Sequence, residues 1–487
     1  MSLTTDDRTR LLSDAPVQPT RGYVLYWMTA QRRLQRNHAL ERAARWSSHL
    51  AKPLLIFEPL RCDYAWASDR LHRFVIDGMM DNAKAAAAHG VAYLPYIEPS
   101  RHAAKGLLAA LSQDACVVLG DEHPGFFHPR AAQTAAQQLG VRFELVDSCG
   151  VVPLSLHGQV YTTAHSFRRF LHKALPQALA EAPAEEPLRG AYRDKMATLP
   201  SEAVARWGLA LGSPPDPCPD QLSALPIDHR VRPVLGARGG REHGMTLARR
   251  FLSQNLSRYG ERNEPDAGVT STLSPWLHFG HVSPWDVLGP ILERAAWTAP
   301  KASDVQGSRA GWWGLDEPTE GFLDQLITWR EVGFNACARM PNYDKYESLP
   351  AWALKTLDEH RKDKRANTYD LQAFDEAKTH DEVWNAAQRQ LKAEGVIHNY
   401  MRMLWGKKIL EWSETPERAL EVLIELNNRY ALDGRDPNSY SGIFWVLGRY
   451  DRAFGPERSV LGLVRYMSSD NTKRKLDLDG YLRRWRA

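Results

Sequence analysis

Trp405 and Trp412 stand seven residues apart in YMRMLWGKKILEW, and Trp384 lies in the preceding segment DEVWNAAQ. Two helical turns put Trp405 and Trp412 on one face, about 10.5 Å apart along the axis. Rings at such spacing can relay an electron between a buried redox group and the surface, and the same stripe serves equally as helix core. The chain holds 16 tryptophans, a surplus of a side chain whose N–H asks for a partner when buried. DGRDPNSYSGIFW (433–445) reads as a polar, Gly-punctuated loop, with Asp433, Asp436 and Asn438 as functional groups or as turn formers. TSTLSPWLHFG (270–280) offers four hydroxyls just before a helix start. That suits a phosphate at a helix N-terminus or a plain Ser–Pro cap. Hydrolytic templates are missing: the sequence contains no Walker A loop, no HExxH and no G-x-S-x-G. None of its 17 histidines is spaced as a metal pair beside carboxylates, so no metal is expected, and His398 reads as structural or supporting.

These residues need elements to hold them. Over the first 150 residues, apolar runs at 22–28, 53–60, 91–98, 115–121 and 141–147 alternate with helical stretches. This spacing predicts an α/β fold with a doubly wound parallel sheet. No G-x-G-x-x-G follows the first strand. Residues 176–233 carry 10 of the 30 prolines, and GSPPDPCPD (212–220) is irregular. Residues 151–237 therefore read as a long connection with a short helix or two. From 238 to 487 the apolar spacing is helical, with Thr415–Pro416 as cap and first helical residue. The expected order is an α/β nucleotide-binding-like domain (1–150), the connection, and an all-α domain.

Composition narrows the class. Hydrophobic residues make up 43% and charged residues 25%, which is ordinary globular usage. No apolar run is long enough for a membrane span, and the polar first residues lack a signal core. Five scattered cysteines without a C-x-x-C pair argue against a disulfide framework, so a cytoplasmic protein is expected. The net charge is +4. From Asp451 onward nine Lys/Arg face five Asp/Glu, so the basic excess is local. A local excess suits a basic rim that meets an anionic partner.

Taken in order, YWMTAQRRLQRN, TSTLSPWLHFG, FLDQLITWRE, WNAAQRQL with HNYMRMLWGKKILEW, LNNRYALDGRDPNSYSGIFW and GLVRYMSSDNTKRKLDL span nearly the whole chain. Together they resemble the cryptochrome/photolyase family, and most closely class II cyclobutane pyrimidine dimer photolyases. The resemblance implies a light-driven carbon–carbon lyase, with FAD in the helical domain and UV-damaged DNA as partner. It implies a monomer, nucleoid-associated if bacterial. A second antenna chromophore of deazaflavin type is left open. Tyr259, Ser271, Thr272, Leu273 and Ser274 would contact the FAD phosphates and ribityl. Phe322, Arg330, Asn399, Arg402 and Asp433 would line the cofactor, with Arg402 and Asp433 paired, and Asn427 would face flavin N5. The electron chain would run through Trp405, Trp384 and Trp412. Trp329 and Trp445 would clasp a flipped lesion over Met403, while Arg262, Asn263, Arg452, Phe454 and the basic residues to Lys475 meet the lesion or its strand. In one place the chain departs from the family: Gln325 stands where such photolyases carry Glu. An amide donates a hydrogen bond but supplies neither proton nor charge. The rival reading is a cryptochrome-like blue-light sensor with little repair.

Overall fold

A computed structural model of the chain describes residues 6–212, 214, 222–300 and 305–486. Cys218 and most of the proline-rich 212–220 stretch lie outside the described residues. The chain divides into two compact units. One comprises Met1–Gly158, Ala174–Arg249 and Thr272–Trp297; the other comprises Gln159–Lys173, Arg250–Ser271 and Thr298–Ala487.

The first unit is built on a six-stranded sheet in the order β1-β6-β5-β2-β3-β4. The strands are β1 Thr9–Ser13, β2 Tyr23–Trp27, β3 Leu54–Leu60, β4 Ala92–Ile97, β5 Ala115–Glu122 and β6 Phe143–Asp147. β2 to β6 pair in parallel, and β1 adds an antiparallel edge to β6. Their apolar runs are continuous because both faces are buried. Val24, Tyr26, Ile56 and Leu119 belong to one core, with residues of the His38–Leu50 and Asp69–Ala88 helices. Tyr23, Leu25, Phe57 and Val118 belong to the other, with the Leu107–Ser112 and His128–Gln138 helices. The alternation of neighbours such as Val24 and Leu25 follows from the two-residue period of a strand.

A polar knot closes the carboxyl end of the sheet. Asp121 accepts from the backbone N–H groups of Thr29, Ala30 and Gln31 at 2.8–2.9 Å and from the Tyr26 hydroxyl at 2.6 Å. Glu58 holds Arg32 at 2.9 Å. These bonds shape the YWMTAQRRLQRN segment. The fully buried Arg33 donates to the Gly280 carbonyl at 2.9 Å. Gly280 has φ +68°, and a Cβ there would sit 2.3 Å from the Ala30 oxygen, so only glycine fits. Phe74 packs on Trp276 and His281 at 5.2 and 5.3 Å. Arg241 makes a two-pronged ion pair with Asp286 at 2.6 and 2.9 Å. Such long-range bonds explain why Thr272–Trp297 clusters with the sheet, although its apolar spacing reads as part of the helical region.

The second unit is mainly helical. Its site-bearing helices are Glu317–Leu323, Arg330–Arg339, Glu382–Glu394, Asn399–Trp412, Pro416–Tyr430 and Pro437–Val446. Thr415 accepts from Arg418 N–H with Pro416 at the first helical position, as the sequence pattern predicts. The 433–445 stretch is not the loop its composition suggests. Asp436 accepts from Asn438 N–H, and Pro437 opens a helix that runs to Val446. Asp–Pro acts here as cap and first residue, and the apolar IFWV end gives the helix a face to bury. Two segments also leave the plain α-helix: Phe251–Asn255 and Asp324–Trp329 wind as π-helix. Among the described residues no helix is long and apolar enough to cross a membrane.

Candidate functional site

The three tryptophans form a contiguous stack in the second unit. Trp405 and Trp384 lie nearly parallel, 7° apart in plane, with centroids 6.4 Å apart. Trp384 meets Trp412 edge-on at 6.2 Å. All three are buried. Their order is 405, 384, 412, so the ring on the neighbouring helix bridges two rings of one helix. Two of the indoles are pinned: Trp384 Nε1 donates to the Trp405 carbonyl at 3.0 Å, and Trp405 Nε1 to Gln388 Oε1 at 2.9 Å. Asp381 caps the Glu382–Glu394 helix by accepting from Val383 and Trp384 N–H, which fixes where Trp384 enters. Trp412 ends the stack among Tyr369 at 5.8 Å, His380 at 4.9 Å and the Lys408 ammonium at 5.4 Å.

A second group of residues offers polar and aromatic contacts. Arg402 Nη2 meets Asp433 at 3.2 Å. Asn399, Arg402 and Met403 share one face of the Asn399–Trp412 helix by their spacing. Tyr259 packs edge-on to Phe322 at 5.3 Å, and the Arg262 guanidinium lies 5.1 Å from the Tyr259 ring. Burial pushes the Tyr259 phenol up to about 12, so it stays protonated. His398 Nε2 bonds the Arg262 carbonyl at 2.9 Å, and burial lowers its pKa. Asn427 Nδ2 donates to Asn428 Oδ1 at 3.1 Å and to Ser439 Oγ at 2.8 Å. That leaves the Asn427 Oδ1 as an acceptor.

Arg330 is buried, and its Nη1 has no hydrogen-bond partner. A buried guanidinium N–H left unmet is costly, so the position fits an anionic ligand oxygen. Ser271 belongs to the second unit, and Thr272, Leu273 and Ser274 to the first. The helix that follows is short, Ser274–His278. Among the described residues no group of three or more His, Cys, Asp or Glu is arranged to hold a metal ion.

A third group of residues starts with the π-helical turn Asp324–Trp329, which carries Gln325 and Trp329. π-turns inside helices cost hydrogen-bond geometry and are frequent at functional sites. Both side chains are half-buried. Trp329 meets Tyr450 edge-on at 6.5 Å. The turn is anchored by the buried Asp324, which takes two bonds from Arg168 at 2.7 and 3.1 Å. Trp445, also half-buried, lies under two cations, Lys407 at 4.5 Å and Arg465 at 5.7 Å. Arg465 and Arg452 lie over Phe454 at 4.3 and 5.3 Å. Arg465 thereby joins Trp445 to Phe454, a link that no local pattern announces. Asn263 and Arg452 are exposed. Lys473 forms an ion pair with Glu382, whereas Arg474 and Lys475 are exposed. Sequence reasoning missed Arg168, Asp324 and Lys407, and had Arg465 only as one of the basic residues to Lys475; the only signal for Lys407 is a lysine on an apolar helix beside Trp405.

Full-length similarity is to enzymes of one name. The chain is 32% identical to deoxyribodipyrimidine photo-lyase of Methanothermobacter thermautotrophicus, over 96% of this chain and 95% of that protein. It is 33% identical to that of Potorous tridactylus, over 98% and 84%. It is 32% identical to that of Oryza sativa, over 95% and 87%. A bacterial class III photolyase from Agrobacterium tumefaciens shares the fold, with TM-score 0.66 and 17% identity over 96% of this chain and 86% of the other. No protein-family model matches the chain.

Proposed function

The chain belongs to the deoxyribodipyrimidine photo-lyase family of DNA photorepair enzymes, and we propose that it splits cyclobutane pyrimidine dimers with an electron from reduced FAD. The observation that carries this reading is the pinned stack Trp405–Trp384–Trp412. It is a conduit with no use in hydrolysis and a direct use in keeping a redox cofactor reduced. Tyr259, Ser271, Phe322, Arg330, Asn399, Arg402 and Asp433 would hold FAD. When bound and reduced, FAD supplies a light-activated electron. Arg330 brings an unmet N–H that would meet a phosphate oxygen, and the Arg402–Asp433 pair would hold a guanidinium ready for the cofactor. Asn427 Oδ1 is the acceptor left for a protonated ring nitrogen.

A dimer must leave the duplex to reach a buried cofactor, and it costs less to unstack than an intact pair. Trp329, Trp445 and Met403 would receive it, with Arg262 and Asn263 at its edge and Arg452 and Phe454 along the strand. We place the enzyme in the cytoplasm as a monomer. The test is to illuminate reduced protein with a thymine-dimer oligonucleotide and follow recovery of base ultraviolet absorbance. Recovery is expected. Photoreduction of FAD without recovery would favour the light-sensor alternative, for which Gln325 is the one supporting residue.

Gln325→Glu is expected to raise the splitting yield per absorbed photon. No hydrogen bond ties its amide to another described residue, so the side chain is available to a ligand. A donor aimed at developing negative charge acts strongly in a water-poor pocket, and losing one outright costs ~2.7–4 kcal/mol. Amide for protonated carboxyl is a partial loss and should cost less. Equal yields under matched illumination would show that the amide already suffices.

Phosphate contacts should make damaged-DNA affinity fall with salt. Lys475→Ala should flatten the slope of log K against log salt by roughly one unit. Lys473→Ala should change it less, because Glu382 already shares that charge. Equal changes for the two would show that the ion pair opens on binding.

A further inference from the structure

Lys407 is among the largest fully buried side chains of the protein. Burying an ammonium is unfavourable, and an apolar side chain of the same volume avoids the cost, so the charge asks for a reason. Its surroundings supply one. Nζ donates to the Val446 carbonyl at 2.7 Å and reaches the Trp445 carbonyl at 3.5 Å. Both carbonyls close the Pro437–Val446 helix, where the helix dipole is negative, and the Trp445 carbonyl also accepts from Gly448 N–H at 3.1 Å. The same ammonium sits 4.5 Å from the centroid of the Trp445 ring. A cation–π contact strengthens when the cation is shielded from water. One group thus grips the backbone and the ring of a single residue.

We propose that Lys407 is a positioning residue for lesion recognition, clamping the Trp445 indole to the end of its own helix so that the ring is set before DNA arrives. The inference rests on the reading of Trp445 as a lesion-clasping residue. Setting the ring in the free enzyme removes an ordering cost from binding. The charged groups acting on Lys407 are Asp451, which favours the ammonium, and Arg465, which opposes it. Asp451 and Arg465 are themselves joined at 3.0 and 3.2 Å. Neighbouring Lys408 turns to Glu411 at 2.7 Å, and Arg449 lies 3.8 Å from the Phe444 ring. Burial brings the Lys407 pKa down to about 7, so the cationic part of the clamp weakens as pH rises through neutrality.

The test uses reduced holoenzyme and two oligonucleotides, one with a thymine dimer and one undamaged, from about pH 6 to about pH 9 at fixed ionic strength. The ratio of the two affinities cancels general phosphate attraction. In the wild type this preference should fall roughly fivefold or more as pH rises, the equivalent of about one good cation–π contact. Lys407→Met should show a low preference at every pH. Lys407→Arg, charged throughout, should keep its preference at high pH, and this variant decides the matter if the methionine variant does not fold. Wild-type preference in Lys407→Met at low pH, or a wild-type pH slope in either variant, would overturn the proposal. Trp445→Ala separates the two layers. Full preference in Trp445→Ala removes the reading of Trp445 itself; lost preference there, with Lys407→Met unaffected, removes only the role of Lys407.

Discussion

Light-driven reduction of oxidised FAD is expected to fall more than tenfold in Trp405→Phe, while the chemically reduced variant still repairs. Phenylalanine keeps an aromatic ring in the stack but is far harder to oxidise than indole, so the proposed first transfer step would lose its donor. Trp384 lies parallel to Trp405 at 6.4 Å and continues to Trp412, which makes Trp405 one end of the stack. Repair itself would pass between cofactor and lesion without crossing the stack. The variant also removes the N–H that meets Gln388 Oε1. A buried acceptor left unmet costs about 1–3 kcal/mol, so a modest loss of stability accompanies the redox effect. Trp384→Phe and Trp412→Phe should impair photoreduction too, and both should leave repair by reduced protein intact. Photoreduction at the wild-type rate in Trp405→Phe would refute the assignment. Lost repair in the chemically reduced variant would mean that the cofactor pocket, and not the conduit, was damaged.

Asp324→Ala is expected to destabilise the helical unit by about 3–5 kcal/mol, because it leaves the Arg168 guanidinium buried without its two-pronged partner. Side-chain exposure is 10% for Arg168 and 3% for Asp324, so solvent replaces little of the lost attraction. Replacing both partners by apolar residues of similar volume, Arg168→Met with Asp324→Leu, should recover most of that stability. Denaturant midpoints followed by tryptophan fluorescence give the comparison. The functional consequence separates the variants further. The pair anchors a π-turn whose other side chains include Gln325 and Trp329, so the apolar double variant should be stable yet bind damaged DNA less well. A double variant no more stable than Asp324→Ala would show that the buried charges themselves hold the turn. Unchanged lesion affinity in a stable double variant would show that the turn keeps its shape unaided.

Much of the fold is legible in residue order because it follows from local rules. Strands β2 to β6 are continuous apolar runs, and the helices announce themselves by apolar spacing and by caps such as Thr415–Pro416. β1 escapes notice because TRLLS is short, half-exposed and an antiparallel edge, so no buried run marks it. The π-turns escape for another reason: about one extra residue per turn over five or six positions does not disturb a 3.6-residue pattern enough to show. In 433–445, Asp, Gly and Pro signal a turn, yet the same Asp–Pro begins a helix once IFWV has a core to enter.

The candidate site divides in the same way. Trp405 and Trp412 are related by helical periodicity alone, which is why spacing places them on one face. That Trp384 stands between them is decided by the packing of two helices. Asp324 finds its partner 156 residues away, and Arg465 bridges Trp445 and Phe454 through a chain reversal. The sequence by itself determined most of the strands and helices and which residue types of this enzyme lie on their faces, because those depend on neighbours within a few positions. Only the tertiary structure decided which side chains meet, that Lys407 is sealed from water against Trp445, and that Arg330 keeps an unmet N–H. Burial and charge pairing arise from contacts between distant segments, and their energies depend on the exclusion of water, which no local stretch of sequence encodes.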